Sequence, residues 1–309
     1  MRWRLGREGA YLREGIGKTP KKALTTVLKY AMIHNEEVFS PKGVRQDMKY
    51  YVVADVHGYY THLMRALTDA GFFSETEPCK LIVCGDLLDR GPEARELIEF
   101  MLQLLAEDRL IYVLGNHEEL LVQCLQEISR GGVHRIASGM TPHTGNMTWD
   151  TLLQISEMIE NDAYRFPNEL VSRVSQSPLY QKLLRICVDY YETPRYIFVH
   201  GWIPCKEEGW KPYVTYTYDP EWRDGDEMQW RRARWVNGME VGAKQCVTEA
   251  GKTIVCGHWH TSFGHSKIEG KGSEWGKDAD FSPFSATGIL AIDACAAVSG
   301  RINCVVIED

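Results

Sequence analysis

Beyond residue 49 the chain alternates short apolar runs with stretches in which apolar residues recur every three or four positions. Residues 50–54, 80–84 and 110–114 read as strands, while 59–70, 92–106 and about 118–129 carry helical spacing. The second of these helices opens on Pro92, a residue suited to a first helical position. This strand–helix order predicts parallel strands joined by right-handed crossovers. Helical patterns, among them 149–161 and 178–191, then fill the chain up to His200 and predict a helical insertion over about 119–195. Strands resume at 196–199, 253–256, 288–293 and 301–307.

The first 48 residues follow a different pattern. Thr19-Pro20 reads as an N-cap and first helical position, and Ala23, Leu24, Val27, Leu28 and Ala31 share one face beyond it. These residues predict an accessory helix over about 20–35 within an N-terminal extension, 1–48. Ser40-Pro41-Lys42-Gly43 links it to a main domain over 49–309.

Composition narrows the class. A chain of 309 residues with 44% hydrophobic and 25% charged residues can bury a full core, which excludes a disordered or fibrous protein. The net charge of −7 is unevenly spread. Residues 1–49 hold eleven Lys/Arg against five Asp/Glu, and the remaining 260 hold 24 against 37. An acidic main body argues against duplex nucleic acid as a partner, because counterion release rewards cationic surfaces. Nine cysteines, an odd number with no CxxC pair, read as small buried hydrophobes in a reducing compartment. No apolar run reaches the ~18–20 residues that span a bilayer. The first fifteen residues lack the apolar core of a secretory signal, so a cytoplasmic protein with no membrane partner is expected.

Candidate chemistry gathers where the apolar runs end. Asp55-Val56-His57-Gly58, Gly85-Asp86-Leu87-Leu88-Asp89-Arg90-Gly91, Gly115-Asn116-His117-Glu118, Val199-His200-Gly201 and Gly257-His258-Trp259-His260 each follow or close such a run. In sheets with parallel strands, ligands meet the loops past the strand carboxyl ends. Carboxylate, imidazole and amide oxygen together suit a borderline to hard divalent cation. Each stretch alone is an ordinary polar turn; five in sequential order at strand ends are not.

Together these stretches resemble the calcineurin-like metallophosphoesterases, in particular the phosphoprotein phosphatase branch with its bacterial and phage members. That family reads GDxHG, GDxVDRG, GNHE, a strand ending in His-Gly or His-Ala, and a late Gly-His. The resemblance covers about residues 50–309 and leaves the N-terminal extension outside it. It implies an α/β fold, a four-layer α/β/β/α sandwich of two mixed sheets with a helical insertion. It also implies two divalent metal ions, Mn²⁺ first and Fe²⁺ or Zn²⁺ by similar chemistry. Asp55, His57 and Asp86 would hold one ion, Asp86 bridging to a second held by Asn116, His200 and His258. His260 completes a Gly-His-x-His that many relatives use at the first metal.

By the same resemblance a metal-bridging hydroxide attacks phosphorus in line, His117 protonates the leaving oxygen as general acid, Asp89 orients it, and Arg90 grips phosphate. In Trp230-Arg231-Arg232-Ala233-Arg234-Trp235 the register of a bacterial Trp-x-Arg stretch selects Arg232 as a further phosphate contact. The closing Ile292-Asp293-Ala294-Cys295 resembles a family turn in which Cys295 and Ser299 replace glycines, so an altered turn is expected there. Five tryptophans between His200 and Trp235 either anchor long loops or offer a stacking surface. The implied activity is dimetal-dependent phosphomonoester hydrolysis of the Ser/Thr protein phosphatase type, acting on a phosphoprotein, a small phosphate ester or a nucleotide. The alternatives are a symmetrical dinucleoside polyphosphate hydrolase and a non-catalytic phospholigand-binding protein.

Overall fold

The structure, a computed structural model, describes residues 48–139, 141–209 and 214–309. The expected accessory helix and its linker lie outside the described residues, as does Trp210.

Two mixed sheets face each other. The first has the order β11 (Val305–Glu308), β1 (Lys49–Val53), β2 (Cys79–Cys84), β3 (Leu110–Val113); β1 to β3 run parallel and β11 antiparallel. The second has the order β4 (Tyr191–Glu192), β5 (Tyr196–Phe198), β8 (Thr253–Cys256), β10 (Ile289–Ala291), β9 (Phe284–Ala286), with β5, β8 and β10 parallel. A small hairpin of β6 (Cys205–Glu208) and β7 (Thr215–Tyr218) stands apart from both.

Strand alternation makes the layers. Side chains on a strand point to opposite faces in turn. On the inner faces Tyr50, Val52, Ala54, Ile82, Cys84 and Val113 of the first sheet meet Phe198, Val255 and Ile292 of the second. The outer faces carry Tyr51, Val53, Leu81 and Val83 on one side and Ile197, Ile254, Cys256 and Ile289 on the other. Helices α1 (Tyr60–Asp69), α2 (Ala94–Ala106) and α3 (Asn116–Ser129) supply the apolar faces that cover the first sheet, through residues such as Leu63, Leu97 and Leu121. Trp202, Trp222, Trp230 and Met239 cover the second. The expected four layers follow from these three apolar interfaces.

Short helical segments occupy the chain between α3 and β4. Among them Thr148–Ser156 and Pro167–Gln176 pack on each other and on α3. The periodicity over 178–191 overshoots as a helix prediction. That stretch holds Leu179–Leu183 and Leu184–Ile186, and Tyr191 already belongs to β4, where its ring packs against Phe198 and Tyr50 between the sheets. No disulfide links the nine cysteines, five of which are buried. Among the described residues no helix is long and apolar enough to cross a membrane.

Candidate metal centre

Every parallel strand of both sheets ends one to three residues before a candidate side chain. β1 stops ahead of Asp55 and His57, β2 ahead of Asp86, and β3 ahead of Asn116 and His117. From the second sheet β5 stops ahead of His200, β8 ahead of His258, and β10 ahead of Asp293. Asp55, His57, Asp86, Asp89, Asn116, His117, His200 and Asp293 are all buried. Backbone at Asp55, His57, Asp86, Asp89, Arg90 and His258 is left-handed, with φ between 50° and 71°. Such backbone costs a non-glycine residue roughly 1–3 kcal/mol, somewhat less for Asp, and it clusters at functional sites. Gly85 permits a close approach: a Cβ there would fall 2.5 Å from His200 Nδ1 and 2.7 Å from Gly115 Cα.

Two imidazoles are turned inward by the main chain. His57 Nδ1 donates to the carbonyl of Leu88 at 3.0 Å, and His200 Nδ1 donates to the carbonyl of Cys84 at 2.9 Å. A carbonyl only accepts, so Nδ1 carries the hydrogen and Nε2 is left to face the carboxylates, as in metal-ligating histidines. His57 Nε2 lies 3.8 Å from Asp55 Oδ1 and 3.7 Å from Asp86 Oδ2. His200 Nε2 lies 2.7 Å from Asn116 Oδ1 and 3.3 Å from Asp86 Oδ1. Asp55 Oδ2 accepts the backbone N–H of His258 at 2.8 Å, which ties the first sheet's site to the second's.

Two groups of donor atoms are close enough to hold a cation: Asp86 with His57 and His117, and Asp86 with His200 and His258, all within 4.8 Å. Asp86 belongs to both. Electrostatics point the same way. Burial and Asp293 push the Asp55 carboxyl well above its ordinary range, and burial pushes Asp293 up to about 6. Burial would raise Asp86 as well, yet His200, His117 and His57 hold it well below. Burial opposes charge on His200, but Asp86 outweighs it and lifts the imidazole to about 10. Burial and the neighbouring His200 push His258 down to about 3. Among the described residues the ion pairs of Asp55 and Asp86 are with His57, His117 and His200, and the Arg90 charge counteracts burial at Asp293. Carboxylates, inward Nε2 atoms and an amide oxygen fit a divalent cation of borderline to hard character.

Beside this set stands a histidine–carboxylate pair. His117 Nδ1 donates to Asp89 Oδ2 at 2.8 Å, and its Nε2 lies 3.7 Å from Asp86 Oδ2. Burial lowers its basicity, but Asp86 and Asp89 together raise the imidazole above its ordinary value. The half-buried Arg90 brings Nη2 to 3.4 Å from His117 Nε2.

Other expected residues are placed elsewhere. His260 Nε2 lies 3.2 Å from Glu274 Oε1, and its ring packs on Trp275 at 4.2 Å. Arg232 is exposed beside Ile203, Cys205 and Gln229, and among the described residues no contact joins it to the cluster. Its neighbour Arg234 is buried between Glu119 and Asp189, and Arg231 Nε reaches 3.7 Å from Glu119 Oε2. On the helix Glu227–Ala233 the residues at 231 and 232 are turned about 100° apart, which separates their partners. Cys295, standing where the resemblance has glycine, keeps a left-handed backbone with φ 52°. Trp202, Trp222 and Trp230 are core residues, whereas Trp235 is half exposed with its ring edge-on to His258 at 5.8 Å.

Sequence reasoning gave no role to Glu118 or Asp293, although both stand in the stretches it singled out. Glu118 accepts the backbone N–H groups of Asp86, Leu87 and Gly115 and the hydroxyl of Tyr112, at 2.7–3.1 Å. It fastens the two loops that carry Asp86 and Asn116.

A family model described as calcineurin-like phosphoesterase matches residues 48–279. The asymmetrical bis(5'-nucleosyl)-tetraphosphatase PrpE of Bacillus velezensis is 24% identical over 142 residues, 44% of this chain and 52% of that protein. The symmetrical bis(5'-nucleosyl)-tetraphosphatase of Photorhabdus laumondii is 38% identical over 85 residues, 27% of this chain and 29% of that protein. Serine/threonine-protein phosphatase 1 of Salmonella typhimurium is 33% identical over 89 residues, 29% of this chain and 38% of that protein. The chain thus spans about half or less of the length of these curated relatives.

Proposed function

The chain belongs to the calcineurin-like phosphoesterases, and on that premise we propose that it is a metal-dependent phosphomonoester hydrolase of the Ser/Thr protein phosphatase type. The observation that carries this reading is the His117–Asp89 pair set against Asp86, the carboxylate common to both donor groups. Asp55, His57 and Asp86 would hold one divalent ion, and Asp86, Asn116, His200 and His258 the other. Held there, such ions supply positive charge to the phosphoryl oxygens and make hydroxide available at neutral pH.

The chain's own residues do the rest. Asp89 keeps the Nδ1–H of His117 in place, so the proton for the leaving oxygen comes from Nε2. Arg90 offers a planar pair of donors to phosphoryl oxygens at the edge of the cluster. A second guanidinium would come from Arg231, since Arg232 lies beside Ile203 and Cys205 and Arg234 is engaged by Glu119 and Asp189. His260 supports the loop of His258 through Glu274 and Trp275, which weighs against a ligand role.

A second reading, dinucleoside polyphosphate hydrolysis, is favoured by the names of the matched tetraphosphatases and by Trp235, whose half-exposed ring beside His258 offers a face to a nucleobase. A panel of p-nitrophenyl phosphate, phosphoserine peptide and diadenosine tetraphosphate, each with Mn²⁺, Fe²⁺ or Zn²⁺, tests both. The first reading expects faster turnover of the two monoesters, read as inorganic phosphate, than of the dinucleotide, read as ADP or as ATP with AMP. The reverse order establishes the second reading, and no turnover with any metal contradicts both.

A further inference from the structure

We propose that Thr148 is a positioning residue for the proton donor: its hydroxyl fixes the Asp89 carboxylate and so aims the ring of His117, an inference that rests on the hydrolase reading above. Thr148 opens the helix Thr148–Ser156 and is fully buried. Its Oγ1 donates to Asp89 Oδ2 at 2.8 Å, the same oxygen that accepts His117 Nδ1–H at 2.8 Å. The other carboxylate oxygen, Oδ1, is buried with no hydrogen-bond partner among the described residues. Two donors therefore converge on one oxygen and nothing restrains the second. Without the hydroxyl, His117 would be the sole group setting the rotation of the carboxylate about its Cβ–Cγ bond.

The hydroxyl is itself held by a firm element. Trp149 stacks on Tyr164 with ring centroids 4.9 Å apart and planes at 9°, and Leu152 is fully buried. The same helix packs on α3, whose first residues are Asn116 and His117. Asp89, by contrast, sits in a loop with φ 71°. The helix thus lends the loop a fixed point across 59 positions of sequence. An ionised carboxylate only accepts, so the position demands a donor of hydroxyl size: serine fulfils this, valine of equal shape does not. In the step served, a hydroxide oxygen bonds to phosphorus as the ester P–O bond breaks, and the leaving oxygen takes the proton from His117 Nε2. His117 ends neutral, its Nδ1–H still on Asp89.

Leaving-group dependence separates aiming from folding. Esters with acidic leaving groups need no proton donor, whereas poor leaving groups do. Thr148→Val, Thr148→Ala, Thr148→Ser and wild type are loaded with Mn²⁺ and compared on 2,4-dinitrophenyl phosphate and on phenyl phosphate. General-acid catalysis contributes about 10²–10⁴-fold, so loss of its alignment in the Val and Ala variants is expected to slow phenyl phosphate by about 10-fold. The dinitrophenyl ester should change less than about 2-fold, and Thr148→Ser should follow wild type. In the metal-free protein the His117 Nδ1–H proton resonance should persist in wild type and Thr148→Ser, and shift or broaden in Thr148→Val. Equal losses on both esters, no loss, or an unmoved resonance would overturn the assignment while leaving the hydrolase reading intact. Failure of both Val and Ala variants to fold would make Thr148 a core residue only and overturn it too. A wild type inert toward both esters contradicts the hydrolase reading itself.

Discussion

Arg234, buried beside the site, pairs with Glu119, the residue two positions after His117. The same guanidinium reaches Asp189 at the other end of the helical stretch, so one cation joins α3, the chain entering β4 and the turn behind His200. Burial raises both carboxyls, and Arg234 counteracts it. Removing the cation alone leaves the half-buried Asp189 without its ion pair and the buried Glu119 with only Arg231, 3.7 Å away. Arg234→Met is expected to lower unfolding stability by about 3–5 kcal/mol, read from urea denaturation; a loss under about 1 kcal/mol contradicts the pairing.

Glu118 gives a second prediction. Its four accepted hydrogen bonds use both oxygens, two on each. Glu118→Gln keeps the shape but turns an amide NH₂ toward two donors. Mn²⁺ affinity, measured by titration calorimetry, should fall about 10- to 100-fold, the usual cost of losing a group that orients ligands. Unchanged affinity would show that the Asp86 and Asn116 loops hold themselves.

Acid sensitivity is expected far from the site. Arg223 grips Glu192 through two hydrogen bonds at 2.6 and 2.9 Å, and Lys252 lies 2.8 Å from the same carboxylate. Burial raises Glu192, but these partners outweigh it and hold the carboxyl below its ordinary 4.5. Because the folded value is depressed, the stabilisation is present above the unfolded pKa and is lost as pH falls through the folded one. Urea midpoints measured from pH 6 to pH 3 should therefore converge for wild type and Glu192→Gln as the medium becomes more acid than 4.5. Parallel curves would show that the pair contributes nothing.

Trp235 separates the two substrate readings. If its ring stacks on a base, Trp235→Ala should raise KM for diadenosine tetraphosphate several-fold, roughly the effect of one lost base stack of 1–3 kcal/mol. KM for a phosphoserine peptide should stay unchanged. Equal effects on both would make Trp235 a support for His258 alone.

The polar stretches at strand ends were legible because short continuous apolar runs mark where strands stop. Asp55, Asp86, Asn116, His200 and His258 follow those stops directly. The convergence of two sheets on them was implied by the resemblance, not by the runs themselves. Hairpin β6–β7 was missed because its residues, such as Lys206, Glu207 and Glu208, are exposed and carry no apolar alternation. The partners of Arg231, Arg232 and Arg234 could not be read before the helix boundary was known, since a one-residue step turns a side chain to another face. Thr148 left no signal: its contact with Asp89 exists only when a distant helix packs over the loop.

The central claim is that Asp86, common to both donor groups, organises a metal-dependent phosphomonoesterase. Its most direct test is phosphate release from p-nitrophenyl phosphate by Mn²⁺-loaded wild type and Asp86→Asn, at equal concentrations of folded protein. Members of such a site fail together, so turnover should be clear in the wild type and about 10³-fold lower or absent in the variant. Equal rates in the two proteins would contradict the claim.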